Sequence, residues 1–328
     1  MVQLTDLQRY LVHEFVEDYQ DGILSRRDMV RRILHITGGV AATATVLTSL
    51  GVTPATRAAY AQEVTPTGPS EPQSPLTVPA DDARVIAEEI TFPAEDGATI
   101  MACQARPSGE GGATPEATMA SPIAGGALPL VLICHENRGL TDHIRDVARR
   151  YAVEGYLACA VDLLSREGGT AAIADPSAIP GALTDADPTR HVGDFQSALT
   201  HYAGQAMADV ARVAMTGYCF GGGITWRSST QIAELKAAAP YYGPPPPLED
   251  VPNIQAAVLG VYSDDPDDFA NEGQADLQAA LDAAGVTYQF NIYPDTQHAF
   301  HNDTGPRYNE EQALAAWNDT IAWFAQHV

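Results

Sequence analysis

The run Val210-Ala211-Arg212-Val213-Ala214-Met215-Thr216, followed at once by Gly217-Tyr218-Cys219-Phe220-Gly221-Gly222-Gly223, decides how this sequence is read. A mostly apolar strand candidate runs into Gly-x-Cys-x-Gly, and a helix candidate follows at 221 to 231. Flanking glycines are needed because side chains would collide in so sharp a strand-to-helix turn, and the helix start sets backbone N–H groups beside the sulfur. A thiol at the positive end of a helix is favoured as thiolate, the reactive form, and a nearby histidine completes its activation. The bland alternative is a glycine-rich turn holding an incidental small apolar cysteine; strand before and helix after favour the nucleophile.

Outward from that turn, apolar runs and amphipathic stretches alternate. Strands are expected at Val85 to Phe92, Thr99 to Ala105, Leu128 to Cys134, Leu157 to Val161, Val210 to Thr216, Ala237 to Tyr242, Ala256 to Tyr262 and Tyr288 to Tyr293. Helices are expected at 142 to 154, 191 to 206, 221 to 231, 273 to 284 and 309 to 327. From residue 128 onward the pattern is repeated βα. It predicts an α/β fold with a mostly parallel central sheet of about eight strands, helices on both faces, and the two early strands antiparallel at one edge.

A nucleophile at such a turn requires an acid and a histidine on later strand-end loops, in that chain order. After Tyr288 to Tyr293 comes Pro294-Asp295-Thr296-Gln297-His298-Ala299-Phe300, which puts His298 on the loop leaving the strand, with His301 as a local competitor suited to stabilising the loop. After Ala256 to Tyr262 comes Ser263-Asp264-Asp265-Pro266-Asp267-Asp268-Phe269. One of its four carboxylates should orient the imidazole; the others suit solvated turns, and Asp268 also suits capping the next helical turn. Spacing alone does not choose among them. A fourth element, His135-Glu136-Asn137-Arg138-Gly139, leaves the strand Leu128 to Cys134 where such folds supply an oxyanion amide; otherwise it is a surface loop with a Glu136–Arg138 ion pair.

The first sixty residues differ from the rest. Ser25-Arg26-Arg27-Asp28-Met29-Val30-Arg31-Arg32 precedes an apolar, small-residue stretch from Ile33 to Val52 and then Ala59-Tyr60-Ala61. This order resembles a twin-arginine export signal with an A-x-A cleavage site, ahead of which Leu7, Leu11, Phe15 and Tyr19 are spaced like a short amphipathic helix of no readable purpose. The alternative for 33 to 52 is an uncleaved anchor or a buried hairpin. Residues 62–83, rich in Pro, Thr, Ser and Glu, read as a flexible linker, and 108–127 as a surface excursion between strands. The expected organisation is therefore 1–61 leader and signal, 62–83 linker, 84–328 catalytic domain.

The 328 residues carry 18 Lys+Arg against 42 Asp+Glu, a net charge of −24, with Lys236 the only lysine. Residues 1–61 balance six arginines with six acids, so the whole excess lies beyond them. Nucleic-acid binding is excluded for want of a basic face, and adhesion to anionic lipid is disfavoured. So acidic a surface suits a saline or otherwise demanding exterior. Cys103, Cys134, Cys159 and Cys219 show no metal-like spacing; the first three fall inside expected strands and read as small core residues. The rival functions are a ligand-binding protein that has lost catalysis and a thiol redox sensor, the latter needing a second reactive thiol.

Taken together, His135-Glu136-Asn137-Arg138-Gly139-Leu140, Asp146-Val147-Ala148-Arg149-Arg150, Gly217 to Gly223, Tyr242-Gly243 and His298-Ala299-Phe300-His301-Asn302-Asp303 resemble the dienelactone hydrolase family of the α/β-hydrolase superfamily, over roughly residues 84 to 328. The resemblance implies an exported cysteine hydrolase of carboxylic esters or lactones, of carboxymethylenebutenolidase type, that uses no metal or organic cofactor. It implies Cys219 as nucleophile, His298 as base, Glu136 as the glutamate that contacts the resting thiol, and the Asn137 and Phe220 amides as oxyanion hole. The family places its acid six residues before the glycine opening the next helix. Counting back from Gly273 gives Asp267, with Asp265 left open because the loop is one residue longer here. Tyr242 and Tyr218 are the expected substrate-binding aromatics, with Trp226 near them. Dienelactone-cleaving members hold the substrate carboxylate with an arginine shortly after the histidine. Positions 299 to 306 lack one and the next is Arg307, which points away from dienelactone itself. The expected partners are a small ester or lactone and, for the leader, the twin-arginine translocation machinery, with no stable membrane insertion once the signal is cleaved.

Overall fold

A computed structural model describes residues 4–52, 71–109 and 126–328. Eight strands form one sheet: β1 (Val85–Pro93), β2 (Thr99–Pro107), β3 (Leu128–Cys134), β4 (Leu157–Asp162), β5 (Ala208–Tyr218), β6 (Ala237–Tyr241), β7 (Ala257–Ser263) and β8 (Tyr288–Tyr293). Their spatial order is β1-β2-β4-β3-β5-β6-β7-β8. β1 pairs antiparallel with β2 and β2 with β4, and every pairing from β4 onward is parallel. The parallel strands β3, β4, β6 and β7 are buried almost throughout, as expected of strands covered on both faces.

Nine helices complete the described chain: α1 (Asp6–Gln20), α2 (Arg26–Thr37), α3 (Val40–Ser49), α4 (Asp142–Val153), α5 (Ile179–Asp185), α6 (Pro188–Ala203), α7 (Phe220–Gln231), α8 (Gln274–Ala284) and α9 (Glu310–His327). On one face α4 and α9 meet through Tyr151, whose ring lies 4.6 Å from that of Trp317 and 6.0 Å from that of Phe324. On the other, α6 meets α7 through His191 and Phe220, and Trp226 of α7 shares a cluster with Leu277 and Leu281 of α8. Helices on both faces and an antiparallel edge are the architecture expected from the alternating pattern.

Three stretches differ from expectation. The proline of Ile179-Pro180-Gly181 sits in the first turn of α5, where its missing N–H costs nothing, so a segment that reads as loop is helical. The apolar stretch 33 to 52 is broken at Gly38, whose left-handed φ of 71° caps α2, and no described helix is long and apolar enough to cross a membrane. Residues 71–83, the described part of the expected flexible linker, are held against α4. Val78 N–H donates to Asp146 (2.7 Å), Arg149 donates to Val78 O (2.6 Å), and Ser74 N–H donates to Asp303 (3.1 Å). Charged groups of α4 and of the loop ahead of α9, with Asp146 and Asp303 buried, satisfy a backbone whose composition alone suggests freedom. The expected cleavage motif Ala59-Tyr60-Ala61 and most of the excursion 108–127 lie outside the described residues.

Candidate active site

All the parallel strands release their loops at the same edge of the sheet, where α/β folds bind ligands. β5 delivers Cys219 there with φ 56° and ψ −117°, a conformation strained for any residue with a side chain. The turn is held by Cys219 N–H donating to Tyr241 O (3.1 Å). The glycines expected beside it are required: a Cβ on Gly217 would collide with Gly221 O, and one on Gly221 with the carbonyls of Cys134 and His135. Phe220 opens α7, and its backbone N–H hydrogen-bonds the Cys219 sulfur.

His298 lies on the loop after β8, where Asp295 and Ala299 take left-handed φ values of 55° and 64°. Two backbone N–H groups of this loop, from Asp295 and Thr296, donate to Asp264 (3.0 and 3.1 Å). The histidine is fully buried, and its Nδ1 pairs with Asp268 Oδ1 at 3.1 Å. The carboxylate that reaches His298 is therefore Asp268, neither Asp267 nor Asp265. Asp267 points to solvent, and Asp265 accepts the N–H of Asp267. The longer loop shifts the family spacing by one residue. Asp268 also accepts from Ala270 N–H (2.9 Å) and from Ser263 Oγ (2.5 Å), so the turn-capping expected of it and the imidazole contact coincide. His301 is separate from this pair, stacked on Tyr218 with ring centres 5.1 Å apart.

The loop after β3 is set by His135, whose Nδ1 bonds Glu136 O (2.7 Å) and whose Nε2 accepts from Leu163 N–H (3.2 Å). Glu136 does not meet the thiol. Its Oε2 accepts from Asn302 Nδ2 at 2.8 Å, and the carboxylate beside Cys219 is Glu14 of α1. Cys219 Sγ donates to Glu14 Oε2 at 3.0 Å, and Asn137 Nδ2 donates to Glu14 Oε1 at 2.7 Å. Tyr10, one turn earlier on α1, donates to Tyr242 O (2.5 Å) and lies 3.4 Å from His298 Nε2. Glu14, carried over the thiol by α1, thus stands where the resemblance places Glu136. The amphipathic spacing of residues 7 to 19 signals a buried face, but only the paired polar groups Tyr10 and Glu14 on that face could have pointed to the cleft.

Tyr242 borders the site, its ring centre 5.0 Å from that of His298, whereas Tyr218 packs beneath it against Tyr241 and His301. Trp226 lies away from the site, donating to Tyr262 Oη. Arg307 reaches the cleft mouth after all and pairs with Asp18 (3.0 Å) and Asp21 (2.8 Å) of α1.

Electrostatics follow from burial. Desolvation pushes the Cys219 thiol well above its usual range, and the carboxylates of Glu14 and Glu136 add to the rise. That outweighs the helix-start effect expected to favour the thiolate. Burial opposes charge on His298, but the Asp268 carboxylate and then Glu14 and Glu17 raise its pKa to about 9. Asp268 is itself held below its ordinary value, because the imidazolium and its hydrogen bonds overcome burial. Glu14 is raised by burial. Cys103, Cys134 and Cys159 are buried in β2, β3 and β4, and burial raises each thiol. One carboxylate oxygen of Glu14, Cys219 Sγ and a ring nitrogen of His298 lie within 4.8 Å of one another, donors of a kind zinc accepts. The same three groups are also a thiol, an acid and a base gathered in one place, with the thiol and Glu14 already at hydrogen-bond distance.

Residues 116–328 match the model of the dienelactone hydrolase family. A candidate carboxymethylenebutenolidase of Salmonella typhi is 32% identical over 269 residues, spanning 79% of this chain and 94% of that protein. A counterpart from Methylorubrum extorquens is 31% identical over 269 residues, 78% of this chain and 87% of its own. The crystal structure of a candidate dienelactone hydrolase from Klebsiella pneumoniae superposes with a TM-score of 0.64 at 31% identity, covering 74% of this chain and 99% of that one. Since the match runs through the cysteine turn and the histidine loop alike, the chain belongs to the dienelactone hydrolase family.

Proposed function

We propose that this protein hydrolyses carboxylic esters or lactones with Cys219 as nucleophile. Family membership supports an ester or lactone hydrolase; the cysteine mechanism rests on the site. The observation that carries it is the buried His298–Asp268 pair, at 3.1 Å, facing a cysteine held in a strained glycine-flanked turn. Cys219 Sγ attacks the carbonyl carbon after passing its proton to His298, and the oxyanion sits against the N–H of Phe220 and that of Asn137. The C–O bond to the alkoxide then breaks as His298 returns the proton. Water, deprotonated by His298, attacks the thioester, releasing the acid and restoring the thiol. Asp268 fixes the imidazole with Nδ1 protonated and stabilises its charged form. Glu136, tied to Asn302, is left to shape the cleft wall. The leader reads in the same proposal as a twin-arginine signal that takes the enzyme out of the cytoplasm, supported by the order of Arg26-Arg27, apolar stretch and small residues.

The test compares Cys219→Ala with wild type on small aryl esters and lactones, together with mass spectrometry of the protein quenched during turnover. A fall of about a thousandfold or more and an acyl adduct on Cys219 are expected, in line with loss of a triad nucleophile. Turnover by the alanine variant equal to wild type would exclude the mechanism.

A further inference from the structure

α1 is an unusual neighbour for a catalytic thiol. Its apolar face, Leu7, Leu11 and Phe15, is buried in the main core. Between those anchors it carries two polar side chains into the cleft, each satisfied by the machinery itself: Glu14 on Cys219 and Asn137, Tyr10 on the Tyr242 carbonyl and beside His298. The Tyr10 ring also closes against Phe269, 4.6 Å between centres, and Phe269 lies 4.8 Å from the His298 ring. At the outer end Asp18 and Asp21 hold Arg307. As a result Cys219 is only 2% exposed.

The space around α1 has the shape of a divided cleft. On one side a cavity of about 590 Å³ lies between Tyr10 and His13 of α1 and Pro244, Pro246, Leu248 and Phe269. On the other, a remnant of about 40 Å³ lies between Glu14 and Asp18 and Glu136, Arg138 and Arg307. Cys219 lines neither cavity. A helix laid along the cleft separates the two openings and covers the atom that must be attacked from.

We propose that α1 is an intramolecular competitive inhibitor, its Glu14 carboxylate occupying the seat of the substrate carbonyl, so that the chain is latent while its N-terminal segment is docked. The proposal rests on the acyl-transfer reading of Cys219. Both ends of the contact fit competition: a carboxylate resembles an ester in shape, and it sits on the sulfur at hydrogen-bond distance where a substrate carbonyl carbon would be attacked. α1 is joined to the body through α2, α3 and the segment 53–70, and α2 is itself packed on α5 with Arg31 paired to Asp175 (2.5 Å), so cutting 53–70 turns residues 1–52 into a fragment held by non-covalent contacts alone. The effective concentration that holds it in place is then lost on dilution. The leader read from the sequence as a removable signal is thereby also the device that keeps the thiol closed.

The experiment inserts a specific protease site within 53–70 of the full-length protein. The rate of Cys219 alkylation by iodoacetamide and hydrolysis of p-nitrophenyl acetate are followed before cutting, after cutting with dilution, and after adding back a peptide of residues 4–24. Cutting is expected to speed alkylation at least tenfold and raise hydrolysis in parallel. The peptide should reverse both, raising KM more than it lowers kcat, and a Glu14→Ala/Tyr10→Ala peptide should not. A full-length Leu11→Asp/Phe15→Asp variant, which unseats the helix without touching the cleft, is expected to label fast uncut and controls for unfolding of the cut protein. Equal labelling rates in intact, cut and unseated proteins would overturn latency. Fast labelling on cutting without any hydrolysis would leave latency standing and overturn the acyl-transfer reading instead.

Discussion

Replacing Asp268 by Asn separates the acid chosen by geometry from the two chosen by spacing. Asp268 is 2% exposed and accepts from His298 Nδ1, Ser263 Oγ and Ala270 N–H. Asparagine keeps the volume but offers one acceptor oxygen and an NH2 that must face a donor, so either the imidazole or the turn loses its partner. The electrostatic loss can be sized from His298. Burial alone would lower its pKa below the ordinary 6.5; the Asp268 charge is the largest of the influences that bring it instead to about 9. At about 1.4 kcal/mol per pKa unit the rise to about 9 is about 3 kcal/mol of imidazolium stabilisation; Asp268 supplies the largest share and Glu14 and Glu17 the rest, so with α1 released the loss is on the order of tenfold to a hundredfold in rate. Loss of the correct tautomer adds to it and can carry the effect towards ten-thousandfold. Asp267→Asn, at an exposed position, and Asp265→Asn, at a half-buried one, should each stay within about twofold of wild type. The assay is kcat/KM for one aryl ester across the three variants, all with the segment 53–70 cut, with thermal melting to establish that each is folded. A folded Asp268→Asn protein with more than half of wild-type kcat/KM, or a hundredfold loss in Asp267→Asn, would refute the assignment.

Docking of α1 should weaken as pH rises. Glu17, facing His298, Arg307, Asp268 and Asp21, is raised by burial to about 7, so its contribution to docking is fully present below its ordinary 4.5 and lost as pH rises through 7; His298, raised to about 9 by Asp268 first and then by Glu14 and Glu17, loses the part of its contribution that α1 supplies as pH passes 9. The alkylation rate of the intact chain divided by that of Leu11→Asp/Phe15→Asp, which cancels the intrinsic titration of the thiol, should climb between pH 5 and 9, and a flat or falling ratio would contradict the assignment. For the leader, Arg26→Lys/Arg27→Lys should keep the protein inside the cell when fractions are compared by immunoblot, and unchanged export would dismiss the twin-arginine reading.

How much of this was legible in the sequence differs by the kind of signal. The continuous apolar run Leu128–Cys134 fixes its strand to the residue, because a buried parallel strand tolerates little else, whereas the half-exposed edge strand Tyr288–Tyr293 is legible from the alternation of Tyr288, Phe290 and Ile292 with Gln289 and Asn291. The elbow was legible because backbone strain leaves a residue code: only glycine fits at 217 and 221. The acid was not, since four carboxylates share one loop and a one-residue change of loop length moves the family spacing. The usable local clue was that Asp268 alone precedes an apolar pair, Phe269-Ala270, that must fold inward. The docking of the first helices was illegible for a different reason. Periodicity announces that α1 has a face to bury but carries no address, and the basic, apolar, small-residue order beyond it had a competing explanation. A buried glutamate on that face was the discordant residue. Isolated carboxylates are seldom buried without a partner, and its partners here are the thiol and the Asn137 side-chain amide.

Latency by α1 is therefore chemical as well as steric, and the two parts can be separated. With the helix docked, Cys219 is held protonated and His298 charged, so the thiol faces an imidazole that already carries its proton and has no acceptor but Glu14. Moving α1 away removes the Glu14 and Glu17 charges and admits water. The desolvation that keeps the thiol neutral falls, the support for the imidazolium falls with it, and the pair regains the ability to exchange one proton. If obstruction were the whole effect, Glu14→Gln, which preserves shape and can still bond Asn137, would leave alkylation of the intact chain as slow as in wild type. If the charge matters as the burial pattern requires, Glu14→Gln weakens the hold on Cys219 Sγ and removes one carboxylate that raises its pKa, and labelling quickens even with the helix in place. An enzyme whose inhibitor sets the protonation of its nucleophile is silenced against small reagents that could slip past a merely steric lid, and that difference is measurable as the dependence of labelling rate on reagent size.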